Sequence, residues 1–72
     1  MNATINYKGM TIENVKMHAV MSYTVSFEIQ NDRITTELTQ QLTELGANVS
    51  FYTNEMHIIV DKKGCEITYK SL

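Results

Sequence analysis

Proline and tryptophan are absent from the 72-residue chain, glycine occurs three times and cysteine once. A lone Cys65 has no partner in the chain, which excludes a disulfide framework. Gly9, Gly46 and Gly64 stand apart from one another, so no Gly-rich phosphate loop exists, and each glycine has a turn or cap explanation. Long apolar runs are missing too. The longest are three residues, Ala19-Val20-Met21 and Ile58-Ile59-Val60. A membrane span needs about twenty and the core of an export signal about 7–15. With no such signal and an unpaired thiol, the expected compartment is the cytoplasm, and the glycosylation sequons at Asn2 and Asn48 are read as chance. Excess positive charge is lacking as well. Six Lys+Arg against eight Asp+Glu leave a net charge of −2, which argues against electrostatically driven nucleic-acid binding.

What is present is β-forming. Apolar residues make up 43% of the chain and charged ones 19%, too apolar for a disordered tail. Ile5 and Tyr7 alternate with polar residues, and a Lys8-Gly9 turn sets Tyr7 opposite Met10 and Ile5 opposite Ile12. The phase then changes near Asn14. From Val15 to Ile29 every odd position is apolar, which is long for one strand. The pattern predicts strands near 10–18 and 22–30 with a bend at 19–22, or one long bent strand.

Ile34, Leu38, Leu42 and Leu45 form a single stripe at helical spacing. They predict a helix over about 32–46, capped by Asn31 or Asp32 and ended by Gly46. Farther on, Val49, Phe51 and Thr53 alternate with polar neighbours, as do Met56, Ile58 and Val60. A loop at Asn54-Glu55 places Thr53 opposite Met56, Phe51 opposite Ile58 and Val49 opposite Val60. The polar Asp61-Lys62-Lys63-Gly64 then sets Val60 opposite Cys65 and Ile58 opposite Ile67. Residues 48–70 thus read as a three-stranded antiparallel meander. The expected fold is one α+β domain over residues 1–72: two layers, element order β-β-β-α-β-β-β, an antiparallel-rich sheet with one helix packed on one face.

No catalytic constellation emerges. His18 and His57 each lack a ligand at i+2 or i+4 on their own element, so no metal or cofactor is expected; His57 reads as a strand histidine against Tyr52. Cys65, Tyr7, Tyr23 and Tyr69 fall on the core phase, and the acidic residues are scattered. Val20, Tyr52 and Ile59 fall on the opposite face. Met10, Met17, Met21 and Met56 could add an adaptable contact surface. These surplus apolar groups point to a non-enzymatic protein-interaction module, self-associating as a homodimer and acting as an inhibitor or adaptor of a larger protein. Its contact residues are Tyr52, His57, Ile59 and Val20. The alternative is a nucleic-acid-binding regulator using sheet tyrosines with Lys8, Lys16, Lys62, Lys63 and Lys70.

Overall fold

The computed structural model describes residues 2–30 and 35–70. Lys8 and Gly9 both have positive φ, 50° and 87°, the backbone of a tight hairpin turn. They join β1 (Asn2–Tyr7) to β2 (Met10–Val20) in the expected register, Tyr7 with Met10 and Ile5 with Ile12. The change of phase near Asn14 is a β-bulge. Ala3 pairs with Val15 but Ile5 with Ile12, so β2 carries one extra residue there, and Asn14 takes the left-handed conformation (φ 56°). Because of that residue, Ile12 and Val15, three apart, are both buried.

After a turn over 21–23 comes β3 (Thr24–Ile29). A second bulge lies between Met17 and Ala19, where His18 has no cross-strand partner. It reverses the alternation: Ala19 pairs with Ser26, and Val20 with the buried Val25. Val20 therefore belongs to the face of the core, at its exposed end, and not to the outer face that strict alternation assigns it.

The helix α1 spans Thr36–Glu44, shorter than the predicted 32–46. Thr35 is its N-cap, its hydroxyl accepting from the Leu38 amide at 3.0 Å; Asn31, Asp32 and Ile34 lie outside the described residues. Gly46, at φ 95°, turns the chain away after the last turn. Two groups from the first hairpin hold that end: Tyr7 Oη and Lys8 Nζ donate to the Leu45 carbonyl at 3.0 and 2.9 Å. The ammonium also complements the negative end of the helix dipole.

Next come β4 (Asn48–Tyr52), β5 (Glu55–Asp61) and β6 (Cys65–Tyr69). The β4–β5 hairpin forms, but its loop is Thr53-Asn54, pairing Phe51 with Met56 and Val49 with Ile58. This register is two residues from the predicted one. A slip of two keeps every side chain on its face, so apolar alternation cannot detect it. The observed turn holds Thr53 at φ 57°, a strained conformation for a β-branched residue.

The predicted meander is corrected at its last strand. The sheet order is β4-β5-β3-β2-β1-β6, all neighbours antiparallel, so β6 pairs with β1 and not with β5. Its register, Ile67 with Ile5 and Cys65 with Tyr7, matches apolar with apolar as well as the meander did, so pattern alone could not choose the partner. The consequence is curvature. Lys62, Lys63 and Gly64 link strands four steps apart in the sheet. Four flat steps measure about 19 Å, and that short link spans at most about 14 Å. The sheet must coil, and the two bulges in β2 bend it.

The α+β fold is as expected, with the helix on the concave face. Ala3, Ile5, Tyr7, Ile12, Val15, Val25, Phe27, Ile29, Met56, Ile58 and Val60 meet Leu42 and Ala47 in one core. Cys65 is half-buried at its margin, and that burial pushes the thiol's pKa up, against a reactive thiolate. Three aromatics expected in the core are exposed. Tyr23 sits in the β2–β3 turn, Tyr69 on the edge strand β6, and Phe51 beside the helix on edge strand β4. One nine-residue helix does not cover them.

Candidate functional site

The outer face of β2, β3 and β5 gathers the polar chemistry. Glu28 on β3 pairs in register with Lys16 on β2 and with His57 on β5. Paired residues share a face, so their side chains meet. His18, the bulge residue of β2, joins them from the same side: its Nε2 lies 2.9 Å from Glu28 Oε1, and its ring stacks on His57 at 5.1 Å between centroids and 18° between planes. Lys16 Nζ stands 3.8 Å from Glu28 Oε1. On the far side, Glu55 Oε2 lies 3.1 Å from His57 Nε2, and the Tyr52 ring meets His57 edge-on at 4.7 Å.

Glu28 is 3% exposed, although the face around it is open. The stacked imidazoles and the Lys16 stem close over it. Its Oε2 is buried without a hydrogen-bond partner. Hydrogen bonding to the Glu28 carboxyl, and then to His57, holds the neighbouring Glu55 carboxyl below the ordinary range. Donor atoms of His18, Glu28 and His57 all lie within 4.8 Å of one another.

Of the contact residues read from sequence, the structure brings three together. His57 lies beside Tyr52, as expected, and Ile59 follows two residues along the same face of β5. Tyr52 and Ile59 are 60% and 46% exposed. Val20 is exposed but belongs to the other face. Sequence reasoning missed Glu28 and set His18 aside because it sought ligands along one strand. Glu55, expected in the loop, is on β5 two residues before His57 and bonds it, so His57 does have a carboxylate on its own strand; the other partners come from adjacent strands, and the strand order β5-β3-β2 is needed to see them.

The lysines divide among several places. Lys16 faces Glu28, and the Lys70 amide bonds Asn2. Lys8 donates its amide to Gly64, which brings it beside the Lys62-Lys63 loop. Compared with family models, with curated proteins and with solved structures, the chain matches none.

Proposed function

We propose that the chain is a non-enzymatic interaction module that self-associates and acts as an inhibitor or adaptor of a larger protein through β4 and the outer face beside it. The observation that carries this reading is an unguarded sheet edge. Among the described residues, β4 has a strand neighbour on one side alone. Its sequence, Asn48-Val49-Ser50-Phe51-Tyr52, holds no charge, no proline and no bulge, the devices that normally block strand addition. Phe51 and Tyr52 are 55% and 60% exposed and point to opposite faces. An added strand would take main-chain hydrogen bonds from this edge and specificity from those alternating side chains. Ile59 and His57 extend the contact on the outer face. The other edge, β6, carries Glu66.

Sedimentation velocity over about a hundredfold concentration range tests this, with a reversible dimer expected. Tyr52→Lys and Ile59→Glu should each keep the fold, since both side chains are exposed, and weaken association by about tenfold or more. A strict monomer at the highest concentration would sink self-association. Undiminished association in both variants would place the contact elsewhere.

A second reading, a nucleic-acid-binding regulator, draws on a different corner. Tyr23 is 83% exposed, its carbonyl accepts from the Lys62 amide at 2.8 Å, and Lys63 and Lys8 lie close by. An exposed ring among lysines suits base stacking on a single strand. That reading requires binding to a labelled oligonucleotide that falls steeply with salt, and salt-independent or absent binding discards it.

A further inference from the structure

We infer that His18, Glu28 and His57 form a binding site for a divalent transition-metal ion of the Zn²⁺ type on the outer face of the sheet. Their donor atoms lie within 4.8 Å of one another. Zinc bonds of about 2.0–2.2 Å set the ligands of one tetrahedron about 3.3–3.6 Å apart, so small side-chain rotations close the set without moving the backbone. The strands that carry them are ladder neighbours, and the bulge at His18 turns its ring toward Glu28 instead of leaving it in the regular ladder.

Two further observations point to a cation. Glu28 Oε2 is buried with no donor at hydrogen-bond distance, while His18 and Lys16 engage Oε1 and a second carboxyl, Glu55, lies against this one. A buried carboxylate is normally paired in full or bound to a metal. In addition, Glu55 Oε2 lies 3.1 Å from His57 Nε2, so a carboxylate orients this ring, and the ion takes the imidazole nitrogen that Glu55 leaves free. Lys16, the cation that pairs with Glu28, is 56% exposed in its side chain and can swing to solvent when an ion enters.

The donor set selects the ion. Two imidazoles and one carboxylate suit zinc and cobalt, whereas magnesium and calcium prefer all-oxygen shells. Three protein ligands on an open sheet face leave the outward position to water or to a group from a partner. None of the three ligands lies on β4, although His57 is shared with the contact face proposed above and touches Tyr52.

The experiment uses the whole chain, stripped with a chelator and then titrated with Zn²⁺ alone. One ion per chain is expected. At about a hundred times its Kd, the ion should raise the melting temperature by roughly 10–20 °C. Co²⁺ should give the intense visible bands of a tetrahedral site, and Mg²⁺ should change nothing. Glu28→Gln and His18→Ala should fold, by far-UV circular dichroism, and lose the Zn²⁺ shift. Glu55→Gln should bind about 10–100-fold more weakly and recover the shift at proportionally higher Zn²⁺. Absence of both the zinc shift and the cobalt bands overturns the site. So does zinc binding that is equally tight in Glu28→Gln and His18→Ala, since it would belong to other groups.

Discussion

Replacing Leu42 by alanine is expected to lower the unfolding free energy by about 3 kcal/mol, read as a lower urea midpoint with an unchanged slope. Leu42 is fully buried, and it is the one buried side chain of α1. Nine residues, three of them threonine, do not hold a helix in water alone. The helix stays because its leucine stripe sits on the concave face and its last carbonyl is held by Tyr7 and Lys8. A chain of this length has roughly 4–11 kcal/mol in all, so the substitution removes a large share. Thr43→Ala, on the exposed side of the same turn, should change stability by less than about 0.5 kcal/mol. If Leu42→Ala behaved like Thr43→Ala, the helix would be an ornament and not the second layer.

Deletion of Asn14 should be more damaging still. That residue is the extra one in β2, and it lets Ile12 and Val15 face the core from either side of the bulge. Without it, alternation runs unbroken through β2, and either Met10 and Ile12 or Val15 and Met17 must turn outward. Exposing two such side chains costs about 3–6 kcal/mol, enough to abolish a cooperative unfolding transition. Asn14→Gly is the control. Glycine takes the left-handed conformation freely, so this variant should keep the wild-type circular dichroism spectrum and stay within about 1 kcal/mol of its stability. A deletion variant that melts like the parent would show that β1 and β2 tolerate either phase.

How much of this was legible in the sequence depends on the range of each signal. The Lys8-Gly9 turn, the phase change at Asn14 and the leucine stripe of α1 are local, and each was readable from a few neighbouring residues. The bulge at His18 was not. The odd-numbered apolar run continues straight through it as Met17, Ala19 and Met21, so nothing marks where the ladder slips. The partner of β6 was likewise hidden, because Ile67 fits Ile5 as well as Ile58. The site was the least legible, because His18, Glu28 and His57 are ordinary outward residues on three separate strands. They become a cluster only when the strand order and the bulge are known together.

The pairing of β1 with β6 has a kinetic side. Ala3 lies opposite Tyr69, so strands far apart in the sequence are ladder neighbours. During synthesis the β1–β2 hairpin, β3 and the helix can gather early, yet β1 keeps an open flank until residue 69 has emerged. Contacts of such long sequence separation slow folding because the loop must close before they form. In that interval the nascent chain exposes two bare edges, β1 and β4, where the finished sheet has β6 covering the first. The unfinished protein is therefore the state most open to joining with another strand, and it lasts until β6 has docked on β1.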